Sequence, residues 1–304
     1  MVTRFVAMLA VLIVSLNTFL HGQTRSIGIN TKIIEEITGA KGTINSEERV
    51  FKVSFPRTDV KVSVDGWAMK PFMGLTSWAA FRKGVEKESM VMGDLVLFED
   101  EVNPVMSVAL ESGLSVTALH NHFFFDNPKV YFMHIGGDGS VETFATAVRK
   151  TQDKIKEIRT ANPEPVKGFP GASIPAESTI DGKEIEKILG FSGQANNGMF
   201  KVVVGRRATM PCGCDAAKEM GVNTWAAFAG SNENAFVDGD FAVIESELQP
   251  VLKTLRSANI NIVAIHHHMV DEKPRYLFLH YWGKGAADSL AKALKGALEK
   301  TAHE

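Results

Sequence analysis

The chain has 304 residues, 45% of them hydrophobic and 22% charged, and a formal net charge of −2. A near-neutral chain without a basic cluster excludes a nucleic-acid partner, because binding to a phosphate backbone needs a positive stripe. It also carries no phosphate-binding loop, no dinucleotide fingerprint and no low-complexity tract.

Arg4 gives a short positive start and residues 5–20 are mostly apolar, followed by His21 and Gly22. Residues 1–23 therefore read as a secretory signal peptide, cleaved near Gly22 or Gln23. An uncleaved anchor is the rival reading, although the apolar run is short for a span. The expectation is an exported protein, periplasmic or secreted, with no stable membrane span after signal removal. About 280 residues then remain, enough for two hydrophobic cores.

Two copies of one unit follow, over residues 28–158 and 178–303. The stretch 159–177 between them carries Pro163, Pro165, Pro170 and Pro175 among small residues and reads as a linker. In each copy a short helix comes first, at 31–37 and 183–189, stopped by Gly39 and Gly190. Alternating strands are expected at 51–55 and 60–64, with 201–205 as the counterpart of the first. Strands around Trp78 and Trp225 come next, then the strands LVLFE and FAVIE, closed by Glu99 and Glu245. A helix is expected to begin at Pro104 with Asn103 as its cap, ending near Gly113, and its counterpart to end at Asn259. A hairpin, a glycine turn and a last helix complete the unit. Segregated strands and helices predict an α+β fold: a tandem duplication, each half a mainly antiparallel sheet with a central histidine-bearing β-hairpin and flanking helices.

The hairpin is the most informative part. Residues 120–134 read HNHFFFDNPKVYFMH and 266–280 read HHHMVDEKPRYLFLH, at a constant offset of 146. His120, His122 and His134 thus fall on His266, His268 and His280. The offset also aligns Gly93-Asp94 with Gly239-Asp240, Pro104 with Pro250 and the apolar stripe of the last helix. Residues two apart on a strand share a face. With turns centred near Asn127 and Lys273, His134 is expected directly across from His120, and His280 from His266. Three imidazoles on an apolar patch are costly unless their nitrogens are satisfied. A transition metal ion does that, zinc ahead of copper. A metal-free histidine cluster bonded to carbonyls and water is the bland reading. Asn121 and His267 are expected to face the other way.

Glu99 and Glu245, at matching strand ends, are candidates to complete the metal shell or to act as general base, with Glu101 and Glu247 competing. The only cysteines, Cys212 and Cys214, read as a strained disulfide or bystander thiols ahead of a soft-metal clamp with Met210. Tyr281 and Trp282 read as packing against the last helix, or as the wall of a ligand site.

The motifs ALHNH…P…H and AIHHH…P…HYWGKG, each followed by a helix, resemble the LppY/LpqO-like family of bacterial exported proteins. The resemblance covers both copies and implies export; it implies no activity. A narrower likeness, confined to the three histidines of each copy, is to acetolactate decarboxylase, which holds zinc through a His-x-His strand and a third histidine across a hairpin. Three functions follow as expectations: an exported metal-binding protein with one site per copy, a metal-dependent hydrolase or lyase using that site, or a metal-free module that binds a small molecule or partner.

Overall fold

A computed structural model describes residues 27–169 and 171–302; the expected signal peptide lies outside them. In the first copy, α1 (Thr31–Thr38) precedes strands β1 (Gly42–Asn45), β2 (Val50–Pro56), β3 (Ser63–Val64), β4 (Trp67–Ala68), β5 (Thr76–Lys83) and β6 (Ser89–Phe98). Then come α2 (Glu99–Glu111), β7 (Ser115–His120), β8 (Asp126–Asn127), β9 (Val130–Gly139) and α3 (Val141–Ala161). The second copy keeps the order: α4 (Gly182–Leu189), β10 (Gly193–Asn196), β11 (Met199–Gly205), β12 (Ala208–Thr209), β13 (Asp215–Ala216), β14 (Asn223–Gly230) and β15 (Ala235–Ile244). It closes with α5 (Glu245–Ser257), β16 (Asn261–His266), β17 (Tyr276–Gly285) and α6 (Ala287–Leu298). The fold is α+β with a large antiparallel sheet. Among the described residues no helix is long and apolar enough to cross a membrane.

Short helices α1 and α4 end as their glycines dictate: Gly39 and Gly190 sit in the left-handed region at φ 70° and 82° and donate back to Glu35 and Glu186. The helix expected from Pro104 instead begins at Glu99, and its counterpart at Glu245. Glu99 and Glu245 therefore open helices rather than close strands. The cause is three residues on. The Phe98 amide donates to Glu101 at 2.9 Å and the Ile244 amide to Glu247 at 3.0 Å, which satisfies a donor the helix start would otherwise orphan. In α2 the acidic first turn, Glu99, Asp100 and Glu101, also complements the helix dipole. Pro104 and Pro250 lie inside their helices.

Glu101 and Glu247 are further committed to arginines, Arg57 buried and Arg206 half-buried. Arg57 donates to both Glu101 oxygens at 2.7 and 2.9 Å, and Arg206 to both Glu247 oxygens at 3.0 and 3.2 Å. Arg159, near the end of α3, also pairs with Asp100 and Glu101. Because α3 runs to Ala161, the first residues of the expected linker are helical.

The twelve long strands form one sheet in the order β1-β2-β5-β6-β9-β7-β16-β17-β15-β14-β11-β10. The second half mirrors the first, so the two copies meet edge to edge at β7 and β16, bridged at Leu119 and Ile265. Helices cover one face, and the apolar residues between helices and sheet form a single core drawn from both copies. On the other face each copy lays a small flap. The first is built from β3, β4 and β8, the second from β12 and β13, each over its own minor core. The expected strand at 60–64 is reduced to β3; Val60 and Val62 are buried under the flap instead.

Candidate metal centre

In both copies the histidines border the flap on the face away from the helices. β7 pairs antiparallel with β9, and β16 with β17. The register differs from expectation by two residues: His134 stands opposite Ala118, and His280 opposite Ala264, while His120 and His266 face Phe132 and Phe278. The reason is the connection. It is no tight turn; Asp126 and Asn127 leave the hairpin to pair with β3 as strand β8. Asn121 and His267 tie the start of this loop back, Asn121 Nδ2 donating to the Val130 carbonyl at 2.9 Å and His267 Nδ1 lying 3.4 Å from that of Tyr276.

The imidazoles nevertheless meet, on the diagonal instead of straight across. Ring centroids of His120 lie 5.2 Å from both His122 and His134. In the second copy His266 lies 5.1 Å from His268 and 4.5 Å from His280. A phenyl ring floors each group: His122 stacks on Phe132 at 3.4 Å and His268 on Phe278 at 3.5 Å.

The carboxylates that join them are Asp94 and Asp240. β6 lies beside β9 and β15 beside β17, with Asp94 opposite His134 and Asp240 opposite His280. Asp240 Oδ2 is 3.4 Å from His268 Nε2 and 3.8 Å from His280 Nδ1. His266 Nε2 is 3.1 Å from His268 Nε2. Ligand atoms of Asp240, His266 and His268 all lie within 4.8 Å of one another. Among the described residues, neither Glu99 nor Glu245 bonds a histidine; Glu99 instead lines a cavity with Asp100, Phe169 and Trp282. Asp94 and Asp240 had a signal in the sequence: an acidic residue at the common offset in the middle of an apolar strand.

Burial dominates the electrostatics of the group. Asp240 is 2% exposed, and burial pushes its carboxyl up to about 6 against the pull of His280. Burial and the neighbouring imidazoles His280 and His268 push His266 down to about 4. His268 and His122 are lowered, and Asp94 raised, each mainly by burial. Asp94 Oδ1, Asp240 Oδ1 and His266 Nδ1 are buried without a hydrogen-bond partner among the described residues. His268 Nδ1 lies 3.3 Å from the Gly221 carbonyl. A proton on that nitrogen leaves Nε2 with its lone pair aimed at the group.

Cys212 and Cys214 are exposed free thiols in the β12–β13 turn, where the Cys214 amide approaches Cys212 Sγ at 3.4 Å. Tyr281 is buried against the helices and donates to the Trp225 carbonyl at 2.9 Å. Trp282 projects from the opposite face and stacks on Phe236 at 5.5 Å.

Fold and site together define a duplicated α+β protein with a histidine–aspartate group able to hold a metal ion. The chain belongs to the family described as "Domain of Unknown Function (DUF1259)", whose profile matches it twice, at residues 32–154 and 183–300. No curated protein matches the chain. Two solved structures are similar over most of the length. A trimeric bacterial microcompartment shell protein, PduB, is 11% identical, with 85% of this chain and 89% of that one covered at a TM-score of 0.18. The double-ringed trimeric shell protein MSM0271 from the RMM microcompartment is 10% identical, with 86% and 95% covered at a TM-score of 0.18.

Proposed function

We propose that this is an exported metal-binding protein that holds a transition metal ion in its second copy through Asp240, His266 and His268, with His280 beside them. The first copy offers a looser version through Asp94, His120, His122 and His134. The observation that carries this is a pair of spacings. Two ligands about 2.0–2.1 Å from one tetrahedral ion stand about 3.3 Å apart. The His266–His268 and His268–Asp240 separations are 3.1 and 3.4 Å. Two imidazole nitrogens and a buried carboxylate at those spacings need a proton or a cation between them.

Zinc is favoured over copper, because imidazole and carboxylate suit zinc and, among the described residues, no sulfur ligand joins the group. Export rests on residues 1–23 and on the motif resemblance to the LppY/LpqO-like family. Element analysis of protein purified without a histidine tag tests the reading. About one equivalent or more of zinc per chain supports it, and less than about half an equivalent of any transition metal counts against it.

A second reading, a metal-dependent hydrolase or lyase, is favoured by one feature. A cleft of about 620 Å³ opens directly on Asp240 and His268. Three protein ligands leave a tetrahedral ion one position for water or substrate. An ion so placed would polarise a carbonyl or acidify its bound water. Asp240 and the histidines would hold it, and Phe278 and the flap would exclude solvent from behind.

A further inference from the structure

The cleft beside the second centre has its own chemistry. Its walls carry Lys201, Lys218, Asn223 and Trp225 in addition to Asp240 and His268. Trp225 is the neighbour of Asp240 across the β14–β15 pairing, and Asp240 is the neighbour of His280. Tryptophan, aspartate and histidine thus form one row across three strands. The Lys201 ammonium lies over the Trp225 ring at 4.2 Å. The first copy repeats this arrangement: Lys52 lies over Trp78 at 4.2 Å, and Trp78, Asp94 and His134 form the matching row. A lysine held by a tryptophan face next to the metal ligands is therefore kept in both copies. Stacking fixes the long side chain while leaving the ammonium protons free for a ligand.

Lys218 supplies a second cation in the second copy only. It belongs to the short helical turn Lys218–Met220, which ends in left-handed Gly221 and precedes β14. The Gly221 carbonyl of that turn is the one facing His268, and Asn223 Nδ2 donates to the Lys218 carbonyl at 2.7 Å. The turn is thereby tied to the centre. Its counterpart in the first copy is Pro71–Met73, ending at Gly74, where Pro71 stands in the place of Lys218 and a fully exposed Phe72 in that of Glu219. Among the described residues neither Lys201 nor Lys218 makes an ion pair, and Glu219 is the one acidic wall residue besides Asp240. A divalent ion at the centre leaves the cleft net positive.

We infer that the second-copy cleft binds a small oxyanion, a carboxylate- or phosphate-bearing molecule, with one oxygen in the open metal position and the remaining charge on Lys201 and Lys218. This rests on the metal reading above. The cleft is far larger than one inorganic anion, so the natural ligand carries an organic body that lies along Trp225 and Asn223.

Calorimetric titration of the zinc-loaded full-length protein with inorganic phosphate, and separately with succinate, tests it and separates the two sources of the anionic group. Saturable binding of at least one is expected. Lys201→Gln and Lys218→Gln should each weaken it by about tenfold or more, the loss of a hydrogen bond to a charged group. Lys253→Gln, on the exposed side of α5, should leave it unchanged. Zinc content is measured on every sample. Zinc retained with no saturable anion binding, or with binding indifferent to both lysine variants, overturns the anion site while leaving the metal centre standing. Absence of zinc from the wild type overturns both. The lysines are exposed, and unchanged circular dichroism of the variants keeps a folding defect from imitating the expected loss.

Discussion

Asn103 and Ile262, one from each copy, exchange two hydrogen bonds: Asn103 Nδ2 donates to the Ile262 carbonyl at 3.2 Å, and its Oδ1 accepts from the Ile262 amide at 2.8 Å. Gln249 does the same for Val116, at 2.8 and 2.9 Å. The pairing answers a defect in the sheet. β7 and β16 are each irregular just past these residues, and the strands bridge only at Leu119 and Ile265. The backbones of Val116 and Ile262 would otherwise be buried unpaired, and a side-chain amide from the opposite copy replaces the missing strand neighbour.

Asn103→Ala should therefore lower stability by about 1–3 kcal/mol, since it strands a buried donor and acceptor together. Gln249→Ala should do so by a similar amount. Urea denaturation reads both. A change within a few tenths of a kcal/mol would mean that water serves the seam equally well.

At the metal centre, His266→Ala, His268→Ala and Asp240→Asn should each cut zinc affinity at the second site by at least about tenfold. Glu99→Gln and Glu245→Gln should leave it unchanged, because those carboxylates stand at helix starts away from the imidazoles. Competition against a calibrated chelator measures all five. Loss of affinity in the glutamate variants alone would move the centre elsewhere.

Acid acts on the two sides of this centre with opposite sign. His266 is held down to about 4 by burial. Between that value and its ordinary value near 6.5 the unfolded chain binds more protons, so His266 costs the apo fold stability as pH falls. Asp240 is pushed up to about 6. Its contribution is present in acid and lost as pH rises through that value, so the two partly cancel in the apo protein. Metal binding removes the cancellation, because His266 is already neutral while Asp240 must shed a proton. Zinc affinity should then fall as pH drops below about 6, and Asp240→Asn should flatten the fall. Chelator competition between about pH 5 and 7.5 decides it; an unaltered slope in the variant would assign the proton to another group.

Glu101 accepts from Arg57 and from the Phe98 amide in a fully buried position. Glu101→Gln removes the charge and leaves the guanidinium with the Val96 carbonyl at 2.7 Å and exposed Asp59 at 2.9 Å as its remaining partners. A loss of about 3 kcal/mol is expected, the lower end for breaking a buried pair. Denaturation showing no loss would mean that Asp59 and Asp100 suffice.

The doubled order of elements, the left-handed caps at Gly39 and Gly190 and the gathering of three imidazoles per copy are written in local sequence. The caps depend on residues a few positions apart, and each trio of imidazoles on a stretch of fifteen. What the sequence hid depends on partners far away. The turn chemistry of Asp126-Asn127-Pro128 sets His134 opposite His120, yet Asp126 and Asn127 answer to Ser63 and Val64 across the flap. Asp240 aligned with Asp94 without announcing a role, since only the β15–β17 register sets it beside His280. The start of α2 was legible in principle: Glu101, three residues after Phe98, is a capping signal that Asn103-Pro104 masked. Nothing in either copy foretold that they would share one sheet, because a strand does not encode which edge it will meet.

The outermost strands, β1 and β10, are four residues each, GTIN and GQAN, and mostly solvent-exposed. Among the described residues nothing pairs with their outer edges, and edges so brief and polar are poor templates for another chain. Lateral growth, which the six-residue inner strand β7 or β16 of a single copy would invite, is thus spent once, within the polypeptide.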